Sequence, residues 1–163
     1  MNFFDIRRRM MLAGGKDKPL VVYKPGDAQS AVNALGASWN ISWYKYSFGA
    51  SYLELQQKYS QSADGAAIVG PFDLTKYNKL IIDFIGKSFS NSSTEKTRVG
   101  YFNGSYSALN IEDSTDISFA SLNGIAEHVE FDISNRSGKR YIFFQYISKS
   151  STNYTRITNI TLE

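Results

Sequence analysis

The chain has 163 residues, no cysteine, and 18 basic against 15 acidic residues, which gives a net charge of +3. A chain of this length can fold as one domain with a substantial core. Without cysteine it has no disulfides and no thiolate metal sites. So small a positive charge is weak support for nucleic-acid binding, and no nucleic-acid partner is expected. No segment approaches the roughly 20 apolar residues of a transmembrane helix, so no membrane partner is expected either.

Residues 1–18 differ from the rest of the chain, and we predict an N-terminal arm and linker there, followed by one β domain at 19–163. Phe3, Ile6 and Met10 have helical spacing, but about a dozen residues form only a marginal isolated helix. A disordered tail, an arm ordered by a partner and a membrane-surface anchor all fit this pattern. The side chains that would dock on a partner are Phe3, Phe4, Arg7, Arg8, Arg9, Met10 and Met11.

Extended segments begin at Leu20–Tyr23, which ends at a proline–glycine turn. Residues 28–37 are small and weakly patterned, and they fit a short helical turn or a loop. Ser38–Phe48 has the alternation of one long strand, and Ser51–Tyr59 follows after a hairpin-sized gap.

The stretch Gly70–Phe84 is the element around which we expect the fold to be organised. A turn at Pro71 leads to the extended segment Leu80–Ile85. Five of its six residues are apolar, and Asp83 is the exception. Because successive side chains point to opposite faces of a strand, both faces carry apolar residues. This pattern predicts a central strand that is covered on both sides.

The second half of the chain continues with extended segments separated by turn residues. Asn103-Gly104 is typical of a tight turn and predicts a hairpin between Thr97–Phe102 and Ser105–Ile111. A less regular stretch follows to Ile125. Further strands are predicted at Glu127–Ile133, Arg140–Ile147 and Tyr154–Leu162. Because no long helical pattern occurs, the prediction is an all-β sandwich of eight or nine antiparallel strands.

Two segments resemble jelly-roll carbohydrate-binding and galactose-binding-like modules. Tyr52-Leu53-Glu54-Leu55 and the later Asp73-Leu74-Thr75 with Tyr77, Leu80 and Asp83 match strand and turn motifs of those modules, and Arg156–Leu162 resembles their last strand. The resemblance implies a jelly-roll-like fold and a glycan ligand. Those modules often have an aspartate of a structural calcium site where this chain has Thr158, so no metal is expected.

The opening of the chain resembles that of tail, baseplate or fibre proteins of phages and prophages. The residues that carry this resemblance are the Arg7–Met11 run and the glycine- and lysine-containing linker that follows it. The apolar run after the arginines is too short for a signal-peptide core of roughly 7–15 residues. The resemblance implies assembly in a bacterial host cytoplasm, a location in the virion, and other virion proteins as partners, in a homo-oligomer.

Glycan binding requires aromatic faces next to polar hydrogen-bonding groups, and the aromatic content of 15% offers several candidates. Trp39 and Trp43 alternate with Ile41, which favours a core face, whereas a sugar-binding role for them stays open. Tyr44 and Tyr46 on the other face are the better candidates for an exposed platform. The candidate glycan-binding residues are Trp39, Trp43, Tyr44, Tyr46, Tyr101, Tyr106 and Tyr154.

The sequence contains no constellation that predicts catalysis. His128 is the only histidine and lies on the polar face of a predicted strand, where a solvated or pairing role is expected. Glu54, Asp83, Glu130 and Asp132 could form a glycosidase-like pair only if two of them converged across a sheet. No dinucleotide fingerprint, phosphate loop or metal-ligand cluster occurs, so neither catalytic residues nor cofactors are predicted.

We therefore predict a non-enzymatic structural or attachment protein of a phage-like particle. Its arm would dock on a neighbouring subunit, and its sandwich would decorate the particle or bind a host surface glycan. The alternative is a carbohydrate-binding module that acts alone or beside an enzyme.

Overall fold

The computed structural model describes residues 18–57, 65–88, 96–104, 110–118, 126–147 and 153–163. The arm residues Phe3, Phe4, Arg7, Arg8, Arg9, Met10 and Met11 and the candidate Tyr106 lie outside the described residues. The described part contains two 3-10 helices, Gln29–Leu35 and Leu74–Lys76. Neither of them is long and apolar enough to cross a membrane. The strands are β1 Leu20–Tyr23, β2 Ser38–Ile41, β3 Lys45–Phe48, β4 Leu53–Gln57, β5 Ala66–Asp73, β6 Lys79–Ser88, β7 Lys96–Asn103, β8 Asn110–Ser118, β9 Ala126–Asp132, β10 Lys139–Ile147 and β11 Asn153–Leu162.

The strands form two antiparallel sheets, which confirms the predicted β-sandwich. One sheet has the order β3-β4-β11-β6-β9, with β1 also paired to β11, and is called the six-stranded sheet below. The five-stranded sheet has the order β2-β5-β10-β7-β8. Many neighbours in a sheet are distant in sequence, as is usual for a jelly-roll sandwich.

The core lies between the sheets and is built from the alternating apolar residues of the inner strands. On β6, Leu80, Ile82 and Phe84 are fully buried. Strand β6 lies between β11 and β9, so the predicted central strand is confirmed as an internal one. It is not covered on both sides, since Ile81, Asp83 and Ile85 of its outer face are only half-buried. A buried hydrogen bond of 2.8 Å joins the hydroxyls of Thr97 and Thr155, on opposite sheets.

Strand β10 is apolar on both faces because it is covered on both sides. Its inner residues, among them Phe144, belong to the main core. Its outer residue Phe143 forms a second buried cluster with Ile68 and Phe102. The ring of Phe102 stacks on that of Tyr141, with 5.3 Å between centroids.

The prediction of one strand at Ser38–Phe48 is wrong, because the chain passes from one sheet to the other within it. Strand β2 pairs with β5 in the five-stranded sheet, whereas β3 pairs with β4 in the six-stranded sheet. Residues 42–44 make the crossing, and the Ser42 hydroxyl donates to the carbonyl of Ala66 at 3.2 Å. The crossing places β2 and β3 at the same open edge of the sandwich.

The predicted hairpin is confirmed only in part, because the second strand shares just residues 110 and 111 with the predicted Ser105–Ile111. Asn103 lies in the ladder and not in a two-residue turn with Gly104. Strands β7 and β8 are antiparallel neighbours whose pairing begins at Asn103 and Asn110. Strand β8 then continues to Ser118, through the stretch predicted as less regular. The divided strand, together with β5, which runs through the predicted turn at Pro71, raises the number of strands to eleven among the described residues. The polar β8 is held by ion pairs of Asp116 with Lys96 at 2.7 Å and Arg98 at 2.6 Å.

Candidate functional site

Three of the predicted glycan-binding residues, Trp39, Trp43 and Tyr101, belong to the core. Trp43 is 4% exposed, and its ring meets that of Tyr146 with 5.7 Å between centroids. Tyr101 is fully buried, and its hydroxyl accepts a hydrogen bond of 3.1 Å from Nε of Arg136. Neither ring presents a free face to solvent, so the structure favours the core alternative for Trp43. Tyr101 is likewise a core residue and not the surface candidate that the sequence predicts.

Trp39 lines a cleft at the open edge of the sandwich. It is 8% exposed, and the cleft has a volume of about 440 Å³. The other lining residues are Ala28, Gln29, Ser30, Asn33 and Ser38, none of which is charged. This volume lies within the roughly 300–1,000 Å³ of small-ligand pockets.

A short helix supplies three of these polar lining residues. The 3-10 helix Gln29–Leu35 is anchored by the buried Val32 and ends at Gly36, whose φ of 70° suits glycine. The amide of Gly36 donates to the carbonyl of Asn33 at 3.0 Å. The helix thereby holds amide and hydroxyl side chains next to Trp39. It corresponds to the helical one of the two alternatives that the sequence allows for residues 28–37.

Tyr44 and Tyr46 are the most exposed aromatic side chains in the described part of the chain, at 53% and 42%. The ring of Tyr46 meets Phe48 edge-on at 6.4 Å, and Phe48 meets Trp39 at 5.8 Å. Aromatic rings therefore follow the open edge from the surface to the cleft. We call this group the edge site; its members are Gln29, Ser30, Asn33, Ser38, Trp39, Tyr44, Tyr46 and Phe48.

Tyr154 is part of a different surface, the outer face of the six-stranded sheet. The guanidinium of Arg156 lies over the ring of Tyr154 at 4.1 Å and over that of Tyr52 at 4.3 Å. Nε of Arg156 donates to Glu54 at 2.7 Å, directly across the β4–β11 ladder. We call Tyr52, Glu54, Tyr154 and Arg156 the arginine cluster. The sequence does not predict a role for Arg156, because no local pattern indicates that β4 pairs with β11.

A polar network adjoins the arginine cluster on the same face. Nδ1 of His128 lies 2.6 Å from Oδ1 of Asp83, and its Nε2 lies 3.2 Å from Glu130. Asp83 also accepts a hydrogen bond of 3.0 Å from Asn159, and Glu130 pairs with Lys79 at 2.9 Å. These partners account for Asp83 on an otherwise apolar strand.

The two neighbouring carboxylates, first Asp83 and then Glu130, raise the pKa of His128 above its usual value of 6.5. The folded state thus binds the proton more tightly than the unfolded chain does. The resulting stabilisation is complete below about pH 6.5 and is lost as pH rises through the higher folded pKa. We expect unfolding free energy to fall slightly from pH 6 to 8, by less than about 1 kcal/mol, because His128 is exposed.

Urea unfolding at a series of pH values checks this expectation. His128 is the only histidine of the chain, so His128→Gln should remove the slope. A slope that persists in the variant contradicts the assignment.

The carboxylates considered for catalysis all have structural partners. Glu54 pairs with Arg156, Asp83 and Glu130 contact His128, and Asp132 accepts from the amide of Ser134 at 2.9 Å. Among the described residues, no three histidine or carboxylate side chains are grouped to hold a metal ion. The hydroxyl of Thr158 donates to the carbonyl of Asp83 at 3.1 Å.

Comparison with known proteins places the fold in a class. No model of a protein family matches the chain, and no curated protein matches its sequence. Solved structures do match, and they define a jelly-roll β-sandwich of the carbohydrate-binding-module type.

Family 29 carbohydrate-binding modules are among these similar structures. One has a TM-score of 0.57 at 13% identity, covering 89% of this chain and 87% of the module. A module from Piromyces equi has a TM-score of 0.55 at 16% identity, covering 90% and 91%. A mutant made to probe ligand recognition by this family has a TM-score of 0.55 at 14% identity, covering 90% and 92%. At such low identity the likeness shows the fold alone.

Proposed function

We propose that this chain is a non-catalytic carbohydrate-binding module that holds a neutral glycan at the edge site. The observation that carries the proposal is the combination of two exposed tyrosines, 53% and 42% accessible, with an uncharged polar cleft at one edge of the sandwich. The similarity to family 29 modules supports the same ligand class.

The chemistry of the edge site suits a sugar. The C–H faces of a sugar ring pack on aromatic rings such as Tyr44 and Tyr46. Its hydroxyls need hydrogen-bond partners when they leave water, and Gln29, Ser30, Asn33 and Ser38 carry such groups. Because none of these groups is charged, the site favours a neutral sugar over an acidic one.

Replacing both Tyr44 and Tyr46 with alanine should weaken glycan binding at least about tenfold, since the stacking surface is lost. The measurement is binding of the full chain to an array of plant and microbial surface glycans, followed by calorimetry with the best soluble glycan. The fold should remain intact because both side chains are exposed.

Val21→Ala is the matched control, because Val21 is 47% exposed and lies on β1, outside the edge site. It should bind as the unchanged protein does. Equal binding by the double tyrosine variant, or no retained glycan on the array, would overturn the proposal.

The predicted virion role has less support than this alternative. It rests on residues 1–18, of which 1–17 lie outside the described part of the chain, and the similar structures reported above are carbohydrate-binding modules. Docking by the arm, a location in the virion and a homo-oligomer stay predictions.

A further inference from the structure

Arg156 has hydrogen-bonding capacity that the described residues do not use. An arginine side chain carries five N–H donors, and the one on Nε is donated to Glu54. Within the described ranges, neither terminal amino group has a hydrogen-bond partner. The two tyrosine rings hold the guanidinium at 4.1 and 4.3 Å, so these donors are fixed in direction before any ligand arrives.

The arginine cluster borders a cleft on the outer face of the six-stranded sheet. The cleft has a volume of about 300 Å³ and is lined by Ser47, Gly49, Ala50, Ser51, Tyr52 and Glu54. Glu54 uses one oxygen for Arg156, and its second oxygen has no hydrogen-bond partner in the part of the chain that is described. An acceptor and several donors therefore meet beside the cleft, next to the ring of Tyr52.

We propose that this cleft is a second saccharide site, which binds one neutral sugar through a pair of adjacent hydroxyls. Each sugar hydroxyl both donates and accepts hydrogen bonds, and Arg156 and Glu54 supply the complementary groups. Their charges compensate each other. Glu54 is the charged member of the cleft lining, and Arg156 lies beside the cleft in contact with Glu54 and Tyr52. An acidic sugar would have to compete with Glu54 for Arg156, so it is disfavoured.

The second site and the edge site lie on opposite faces of strand β3. Tyr46 pairs with the buried Leu55 and so points to the inner side, whereas Ser47 pairs with Glu54 on the outer side. The inference rests on the proposed function for its ligand class. It adds that one chain contacts sugars on both faces of its edge strand.

The test is a nuclear magnetic resonance titration of the full chain with methyl glucoside, methyl mannoside, methyl galactoside and glucuronate. A neutral glycoside should shift the Nε–H signal of Arg156 and the amides of Ser47 and Glu54. Arg156→Lys keeps the charge but loses the planar donor pair. The affinity read from the amides of Ser47 and Glu54 should fall at least about tenfold in this variant. Asn33 and Tyr46 belong to the edge site, so their signals should shift in the Arg156→Lys variant as they do in the unchanged protein.

Ser47→Ile provides a second variant, since Ser47 lies on an edge strand where isoleucine is well tolerated. It adds volume to the cleft from β3, which β4 separates from β11 and Arg156. It should abolish the same shifts while thermal unfolding stays the same. Shifts at the edge site alone overturn this inference and leave the proposed function standing. Shifts at Arg156 alone leave the second site standing and overturn the edge site. Tighter binding of glucuronate than of every neutral glycoside overturns the neutral-sugar assignment.

Discussion

Replacing Trp43 with alanine should lower the free energy of unfolding by about 3–5 kcal/mol. The side chain is 4% exposed and fills the space where the chain crosses between the sheets, against Tyr146. Removing the indole leaves a cavity that strands from both sheets would have to close. Urea or thermal unfolding of the purified variant measures the effect.

Two further variants distinguish a structural role of Trp43 in the core from a role in sugar binding. Tyr44→Ala removes the exposed neighbour and should change stability by less than about 0.5 kcal/mol. Trp43→Phe should cost only about 1 kcal/mol, because it retains most of the apolar volume and removes an indole N–H that lacks a partner among the described residues. A stable Trp43→Ala variant that has lost glycan binding would instead assign Trp43 to a ligand site.

The strands that the sequence predicts well are those whose burial follows a simple alternation. On β9, Phe131 points inward, and His128, Glu130 and Asp132 are exposed, as the polar and apolar residues indicate. Strand β6 was identified as internal because apolar residues occur on both of its faces. In both cases the pattern reflects local burial, which a single segment of sequence can reveal.

The division of Ser38–Phe48 between two sheets could not be predicted in this way. Trp39, Ile41 and Trp43 keep an alternating pattern because Trp39 and Trp43 are buried and Ile41 packs against the same core. The core is continuous across the edge of the sandwich, so its pattern does not show where the hydrogen-bonded partner changes. Only the pairing of β2 with β5 and of β3 with β4 reveals the change.

For the candidate sites, too, a local sequence pattern does not reveal which strands are neighbours. The sequence predicts Tyr44 and Tyr46 as surface aromatics, and both are exposed. Tyr46 nevertheless lies on the inner side of β3, opposite Leu55, and not on the face away from the core. The contact of Arg156 with Glu54 joins residues 102 positions apart, and it depends on the order of strands in the sheet. Sequence identifies residue types suited to sugar binding, whereas the topology decides which of them become neighbours.

Gly100→Ala should destabilise the protein by about 3 kcal/mol, at the upper end of the usual cost of overpacking. Gly100 lies in β7 opposite Ser114 of β8, and an added Cβ would lie 2.8 Å from Cα and Cβ of Ser114 and would also overlap the carbonyl oxygen of Asp113. These are backbone atoms or atoms next to the backbone, so rotation of a side chain cannot relieve the overlap. Strand β8 would have to move away from β7, which would weaken its ladder.

Gly49→Ala is the control for the Gly100→Ala variant, because its added Cβ makes a much milder overlap. Its new Cβ would lie 3.3 Å from the carbonyl oxygen of Tyr52, at the β3–β4 connection, where a shift of a few tenths of an ångström is enough. We expect a loss below about 1 kcal/mol there. Hydrogen exchange should show the Gly100→Ala loss chiefly at the amides of β8, because an edge strand can separate locally. Equal stability of the two variants would show that β8 does not approach β7 as closely as the structure indicates.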